Sequence, residues 1–436
     1  MLRDSLHRGT GALLALPILL LLMKTLLASP AHGEPPPPLT LPQAVETALR
    51  GHPQLAGYRQ EFQAAEGRLL QASLLPNPEL SVDVENVWGD FPGTSRAETT
   101  YGISQLLELG KRSPRIRKAE TEKDVLLRDF EITRLNVVAD VKRAFINVLS
   151  AGKKLGLNRE AHRIATQLAG SVSERVSAGA VSPIEETRAK VALAFSSTDL
   201  ERTAREVETA RLELAAAMGE RTPSFDSLAG DLDEDVSMPA ADNVAELIAS
   251  TPDVARWYAE AERRAAVLNA ERTLAIPDVT LKGGLKRIAE TSETTFVIGF
   301  AVPLPLFNRN QGAIREAAAH RAKADTERNA SEVLLHSQVG QRRAALEATA
   351  REARILRQDA LSGAQSAYDA VSEGYRLGKF RYLDVLDAGK TLVETRLRYL
   401  DVLTAMNLAR VDLERLLASS AGPGKEIPEF QKGATR

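Results

Sequence analysis

Two very long stretches of the chain show the apolar periodicity of an α-helix, at residues 113–178 and 310–377. Roughly 65 residues at about 1.5 Å each make a helix of about 100 Å, far longer than a globular core needs. Each stretch is followed by a return helix, one to about residue 218 and one to about residue 418. The pattern predicts two long helical hairpins. In the second return helix, apolar residues recur every seven positions, as in a coiled coil, at Leu392, Tyr399, Met406 and Leu413.

A glycine interrupts the helical pattern where each hairpin turns back. Gly378 interrupts the second hairpin, and Gly179 interrupts the first in a weaker copy of the same motif. Glycine adopts a left-handed backbone at little energetic cost, so both positions are predicted to be hairpin tips. When Gly179 is aligned with Gly378, Leu214 falls on Leu413. The chain is therefore an internal duplication with a period of roughly 200 residues.

Each long helix is preceded by two short segments in which apolar and polar residues alternate, at about 79–107 and 279–302. Strands with one apolar and one polar face are typical of membrane β-barrels, and the alternative is a pair of edge hairpins on a soluble domain. Four strands cannot close a barrel, whose smallest form has about eight, so two or three chains would pool their strands. The alternating apolar positions are Leu80, Val82, Val84, Tyr101, Ile103, Val279, Leu281, Leu285, Phe296, Ile298, Phe300 and Val302.

The first 31 residues are predicted to be a signal peptide. Arg3 and Arg8 provide a basic start, residues 13–22 an apolar run, and residues 29–31 a small-residue cleavage signal. The alternative is a membrane anchor helix, but the apolar run is shorter than the roughly 20 residues that span a bilayer. The mature protein is therefore expected to be exported beyond the inner membrane.

The remaining chain divides into four parts. The first repeat is predicted at 32–220 and the second at 244–418. A linker at 221–243 joins them, and a tail follows at 419–436. The linker is acidic and, like the tail, contains proline and glycine. Both segments are expected either to wrap the outside of a helical tube or to be disordered.

The composition of the chain argues against several classes of function. With no cysteine, the chain has no disulfides, no thiolate metal site and no cysteine to lipidate. A net charge of −2 gives no support for binding nucleic acid. The histidines are scattered, so no metal site is predicted. No nucleophile–base set or phosphate loop is present, so we expect neither a cofactor nor enzymatic activity.

The order of elements, together with five short motifs, resembles the TolC-like outer-membrane efflux channels. The motifs are residues 375–378 (Tyr-Arg-Leu-Gly), 383–388 (Leu-Asp-Val-Leu-Asp-Ala) and 76–80 (Pro-Asn-Pro-Glu-Leu). Residues 108–112 (Glu-Leu-Gly-Lys-Arg) and 305–312 (Pro-Leu-Phe-Asn-Arg-Asn-Gln-Gly) are similar to the heavy-metal branch of that family, the outer-membrane subunits of cobalt–zinc–cadmium and copper–silver exporters.

The resemblance implies a mainly α fold with membrane β: a homotrimer with a 12-stranded barrel in the outer membrane and a helical tunnel in the periplasm. It also implies contact with outer-membrane lipid, a periplasmic adaptor protein and an inner-membrane proton-driven pump of the RND type. Heavy-metal cations are the expected cargo. The alternatives are a duct for drugs or organic molecules and, from the residues alone, a periplasmic adaptor or a coiled-coil scaffold.

Two aspartates near the second tip are candidate gate residues. Asp384 and Asp387 are three apart, so they share a helix face. In a trimer they would form a ring of carboxylates, which favours cations. The resemblance implies that this ring lines the closed aperture. The alternative is an ordinary solvated helix face.

Four further residues take their expected roles from the resemblance. Tyr375 and Glu185 match positions that tie the two hairpins together in the closed state. A hydrogen bond between them would contribute about 1.5–3 kcal/mol at most, which biases a gate without locking it. Gly179 and Gly378 match the tip glycines that meet the adaptor, a role that is compatible with ordinary helix C-caps.

Overall fold

The computed structural model describes residues 37–87, 93–232 and 244–418. The signal peptide, the linker beyond Leu232 and the tail that the sequence predicts lie outside these residues. In chain order the elements are β1 (Leu39–Thr40), α1 (Leu41–Gly51), α2 (Pro53–Ser73), β2 (Glu79–Glu85), β3 (Glu98–Leu107), α3 (Arg112–Ser177), α4 (Pro183–Met218), β4 (Leu228–Ala229), α5 (Val244–Ala249), α6 (Pro252–Leu274), β5 (Val279–Ile288), β6 (Glu293–Ala301), α7 (Gln311–Ile355), a π-helical turn (Leu356–Ala360), α8 (Leu361–Arg376) and α9 (Tyr382–Leu417).

The two long hairpins are confirmed. Helix α3 has 66 residues and returns through the 36 residues of α4. Helices α7 and α8 return through the 36 residues of α9. The coiled-coil seam predicted in α9 is also confirmed, because Leu392, Met406 and Leu413 are buried and Tyr399 packs partly buried against the core that contains Met406 and Leu413.

The second outgoing helix, predicted as a single helix over 310–377, is helical from Gln311 to Arg376 but contains a π-helical segment that the sequence pattern did not predict. A π-helical turn at Leu356–Ala360 separates α7 from α8. Ala353 in α7 and Tyr368 in α8 both face a core, and they are fifteen positions apart, one more than two heptads. The wider π-helical turn accommodates this one extra residue, so the apolar residues of α7 and α8 can both face inward. The hydroxyl of Ser362 donates to the carbonyl of Gln358 at 2.6 Å, within this turn.

The short helices pack around the middle of α3. The hydroxyls of Tyr58 in α2 and Thr133 in α3 share a hydrogen bond of 2.9 Å. Arg256 in α6 donates to Asp129 in α3 at 2.6 Å. The two-residue strands β1 and β4 pair in parallel beside them. The main core is formed mostly by buried apolar residues of α3, α7 and α9, and the short helices contribute Ile248 and Val254 to it.

After α4 the chain continues along the outside of the helices. The backbone N–H of Leu39 donates to the carbonyl of Ser227 at 2.9 Å. Leu232 is buried, and its carbonyl accepts a hydrogen bond of 3.0 Å from the Asn407 side chain in α9. Residues 221–232 therefore lie against the helices.

The four predicted strands form one antiparallel sheet in the order β2-β3-β5-β6. Tyr101 lies opposite Val82 on one side and Leu285 on the other. Leu285 in turn lies opposite Phe296. These four side chains are exposed on a single face of the sheet, as the alternation predicts. Among the described helices, none has the length and apolarity that crossing a membrane requires.

Candidate gate at the helical tips

The same backbone turn ends the outgoing helix of each hairpin. Gly179 has a φ of +70° and Gly378 a φ of +74°. In the first tip the N–H groups of Gly179 and Ala180 donate to carbonyls at 2.9 and 2.8 Å. In the second tip those of Gly378 and Lys379 do so at 3.0 and 2.8 Å. This pattern is a Schellman motif, which requires a left-handed residue after the helix.

The two tips share one small core. Val172 of α3 and Ala189 of α4 pack with Tyr375 of α8 and with Tyr382 and Val385 of α9, and all five residues are buried. The first hairpin therefore supports the second directly near the tips.

Arg175 links the hairpins through an aromatic face. Its guanidinium carbon lies 4.3 Å from the centre of the Tyr375 ring, a cation–π contact between α3 and α8. The buried Tyr375 hydroxyl has no hydrogen-bond partner within the described part of the chain. The hydrogen bond to Glu185 that the resemblance implies is therefore absent here. Its place is taken by the stacking of Arg175 and by burial of the ring in the shared core.

Glu185 instead lies near a second tyrosine. Burial raises the pKa of the Tyr382 hydroxyl, and the nearby Tyr375 and Glu185 raise it further. Glu185 is half-buried in the first turn of α4. The structure thus groups Arg175, Glu185 and two tyrosines at the contact between the hairpins.

The predicted aspartate pair lies at the start of α9, but its two members have different surroundings. Asp384 is half-buried and accepts a hydrogen bond of 2.8 Å from the backbone N–H of Arg381, which caps the helix. The Arg381 guanidinium also lies 3.7 Å from this carboxylate. Asp387 is exposed, and no hydrogen bond or ion pair of its carboxylate occurs among the described residues. Only Asp387 is therefore free to act on solutes without first giving up a local contact.

Phe380 folds back against its own outgoing helix. A Cβ placed on Gly374 would lie 2.3 Å from the ring of Phe380, so the ring fits only because residue 374 lacks a side chain. The aligned position in the first tip is Arg175, which instead points its side chain at the other hairpin.

A groove of about 550 Å³ runs between α3, α4 and α9, next to the tips. Leu168, Phe195, Leu386 and Val393 give it apolar walls. Phe195 is largely exposed. The groove is therefore an apolar surface on helices that otherwise carry many charged residues.

Sequence reasoning found both tip glycines and the aspartates but missed Arg175 and Tyr382. Tyr382 is the first residue of the second return helix and Arg175 is one turn before Gly179. Their helical positions were readable from the sequence, but their contacts were not. Among the described residues, no three histidine, aspartate or glutamate side chains are grouped in a way that could hold a metal ion.

Comparison with known proteins shows which family the chain matches. The family described as "Outer membrane efflux protein" matches residues 44–220 and 243–419. Each match covers one long hairpin together with the strands before it.

Two metal-resistance proteins are similar over most of the chain. The cobalt-zinc-cadmium resistance protein CzcC of Cupriavidus metallidurans is 35% identical over 87% of this chain and 90% of its own length. The nickel-cobalt-cadmium resistance protein NccC of Alcaligenes xylosoxydans is 27% identical over 74% of each.

A solved structure has the same fold at lower sequence identity. The outer membrane protein VceC of Vibrio cholerae superposes with a TM-score of 0.73 over 87% of this chain and 96% of its own, at 18% identity.

Proposed function

The chain belongs to the outer membrane efflux protein family, and on that premise we propose that it is the outer-membrane duct of a tripartite, proton-driven efflux system for heavy-metal cations. It works as a homotrimer, after a signal peptide at 1–31 has been removed. Its two repeats extend over 32–220 and 244–418. The protein binds no cofactor and performs no catalysis, because the inner-membrane pump drives transport and the duct needs only a passage and a gate.

The exposed apolar face of the sheet is the observation that carries this proposal. Side chains such as Phe296, Ile298 and Phe300 point outward from the four strands, and residues 37–87, 93–232 and 244–418 leave them uncovered. The opposite face carries Asp83, Glu85 and Lys286. An apolar outer face and a polar inner face are what a barrel wall in lipid requires. Three chains supply the strands, and three pairs of hairpins supply a tunnel beneath them.

Heavy-metal cations are the proposed cargo because the 35% identical relative is a cobalt-zinc-cadmium resistance protein. The ions pass through hydrated, without a storage site. Organic molecules are the second candidate cargo, since the inner-membrane pump selects what enters the duct.

The gate is proposed at the second tip. Asp387 provides an exposed carboxylate in each chain, and Asp384 provides a second that now caps α9. Carboxylates brought together on a three-fold axis repel one another and attract cations. Tyr375 and Glu185 contribute to the closed state through the core that the two hairpins share, rather than through a hydrogen bond with each other.

The tips are also the proposed contact with the periplasmic adaptor. Gly179 and Gly378 lie at the turns of the two hairpins, where no atom of the described, non-adjacent residues comes within 4 Å of the position that a Cβ would take. The groove beside them, with Phe195 in its wall, offers the adaptor an apolar surface. An RND pump in the inner membrane completes the system.

The test is single-channel conductance of the purified mature protein in a planar bilayer, with a titration of divalent cations. We expect a small conductance that divalent cations block, and relief of the block in Asp384→Ala/Asp387→Ala. Asp401→Ala, an exposed aspartate farther along α9, is the matched control and should leave the block intact. Absence of any pore would reject the duct. A pore whose block is the same in the double variant would reject only the gate.

A further inference from the structure

A second exposed apolar surface lies at the helix-side end of the sheet, outside the strands themselves. It consists of Leu74, Leu75, Leu304, Leu306 and Phe307, which we call the collar. Leu74 and Leu75 lead into β2, and the other three residues follow β6. Because β2 and β6 are the two edge strands, the collar flanks the sheet at both sides of the same end.

After β6, the collar continues the apolar face of the sheet. Phe296, Ile298 and Phe300 project from one face of β6, and the same two-residue spacing continues to Leu304 after the strand has ended at Ala301. The strand ends because Pro303 and Pro305 follow, and proline has no N–H to pair with a neighbour. The alternation of apolar side chains therefore continues beyond the last residue that is hydrogen-bonded in the sheet. The segment before β2 is similar, with Leu74 and Leu75 followed by prolines 76 and 78.

The described residues of the chain leave the collar side chains uncovered. Phe307 is 91% exposed, Leu304 is 75% exposed and Leu75 is 68% exposed. Exposed apolar side chains grouped in this way at each edge of the sheet mark a place where a partner or a membrane binds.

Two arginines accompany the collar. Arg112 donates to the carbonyl of Ser73 at 2.8 Å, and Arg309 donates to the carbonyl of Pro305 at 3.1 Å. Both side chains are exposed, and neither has a carboxylate partner in the part of the chain that the structure describes. The neighbouring Lys111, by contrast, is paired with Asp278 at 2.6 Å. Each arginine thus uses one donor to hold a collar segment and leaves the rest of its guanidinium free.

Building on the proposed outer-membrane duct, we propose that the collar lies in the lipid headgroup layer at the periplasmic edge of the outer membrane. Its apolar side chains lie among the first acyl carbons, and Arg112 and Arg309 bind lipid phosphates. A backbone without sheet hydrogen bonds is excluded from the hydrocarbon core but tolerated at the interface, where water reaches it. Apolar groups of interfacial segments lie about 5–10 Å into this layer. The prolines therefore set the depth at which the sheet stops and the interface begins.

The experiment uses the absence of cysteine from the full chain, which makes an introduced thiol unique. Phe307→Cys is labelled with a fluorophore, and the protein is reconstituted in phospholipid vesicles that carry a nitroxide quencher at a shallow or a deep acyl position. Ile298→Cys on the face of the sheet and Leu377→Cys at the second tip are the matched controls, since both native side chains are exposed and apolar.

The label at residue 307 should lose fluorescence mainly to the shallow quencher, and the label at 298 mainly to the deep one. The label at 377 should respond only to a quencher in water. A label at 307 that neither lipid quencher reaches would overturn the proposal and point to cover by a second copy of the chain or to free solvent. If the label at 298 also escaped both lipid quenchers, the membrane sheet itself, and with it the proposed duct, would be rejected.

The arginines are tested in the same labelled protein. Arg112→Glu/Arg309→Glu should reduce quenching at residue 307 by the shallow nitroxide, because the added carboxylates are repelled by the lipid phosphates. Arg376→Glu at the second tip, a reversal of one charge far from the collar, is the control and should have no effect; each single variant, Arg112→Glu or Arg309→Glu, matches it in charge and should still reduce the quenching. An unchanged profile in the double variant would overturn the phosphate contact.

Discussion

The two hairpin tips have the same backbone but different side chains. Gly179 and Gly378 differ by only 4° in φ, and the same two hydrogen bonds close both turns. Where the second tip has Gly374, the first has Arg175; where the second has Tyr382, the first has Pro183. The duplicated chain has thus retained a turn that glycine alone makes cheaply, while its neighbouring residues have become unlike.

The differences make the tips complementary. The first contributes a cation, Arg175, and a carboxylate, Glu185, to the contact between the hairpins. The second contributes the buried rings of Tyr375 and Tyr382. An aromatic ring and a cation stack favourably across two helices, whereas two copies of either tip would place like groups together. One chain therefore needs both versions, and four predictions test how far the tips depend on each other.

The largest expected effect is from Tyr382→Ala. This ring is 3% exposed in the shared core, and removing a buried aromatic side chain costs about 3–5 kcal/mol. Hydrogen exchange should show faster opening at both tips, because Val172 of the first hairpin loses the same neighbour. Phe380→Ala, with a ring that is 46% exposed, is the control and should cost about 1 kcal/mol. Faster exchange confined to the second tip would show that the tips are independent.

Gly374→Ala should be the next most harmful. Its Cβ would overlap the ring of Phe380, and forcing extra atoms into a packed site costs about 1–3 kcal/mol. The additional change Phe380→Ala should restore stability, measured as the midpoint of thermal unfolding. The double variant removes the clash, so failure of this rescue would contradict the proposed cause.

Gly378→Ala and Gly179→Ala should each cost about 1 kcal/mol, because both need a left-handed backbone. Neither glycine has a neighbour within 4 Å of the position that a Cβ would take, so conformation alone sets the cost. Asparagine, which tolerates this conformation better, should cost less at both positions. Equal losses in denaturant unfolding would support the shared backbone, and a clear inequality would contradict it.

The smallest expected effects are those of pH, which should destabilise the first tip in acid and the second tip in alkali. In the first tip, Lys190 and Ser173 hold the pKa of Glu186 below its ordinary value. The ionised carboxylate therefore stabilises the folded tip at neutral pH, and this stabilisation is lost as pH falls below about 4. In the second, the raised pKa of Tyr382 means that the folded tip holds its proton longer than the unfolded chain. The neutral Tyr382 hydroxyl therefore stabilises the folded tip below a pH of about 10, and this stabilisation declines at higher pH.

Nitroxide labels at the equivalent residues Ala180→Cys and Lys379→Cys measure this difference directly. Mobility should increase at residue 180 on acidification and at residue 379 at alkaline pH. Glu186→Gln should remove the acid response of the first label and leave the second unchanged. The same pH response at both labels would mean that the tips open as one unit.

The parts of this structure that the sequence predicted are those set by neighbours along the chain. Helix periodicity, strand alternation and the left-handed turn at Gly378 depend on residues within a few positions of one another, and each was readable without the fold. The candidate aspartates were found in the same way, because a spacing of three fixes a common helix face. What Asp384 does with its carboxylate was not predicted, since capping the N–H of Arg381 depends on where the helix starts.

The parts that only the tertiary structure decided depend on residues far apart in the chain. The stacking of Arg175 on Tyr375 joins positions 200 residues apart, and it depends on how two hairpins are aligned against each other. The π-helical turn at Leu356–Ala360 lies between a segment that packs on the main core and one that packs on the core at the tips, so it depends on contacts with other helices. Local sequence thus determined the elements and their turns, because backbone preferences act over a few residues. Packing between elements decided their partners, because side-chain contacts depend on distance in space and not on distance along the chain.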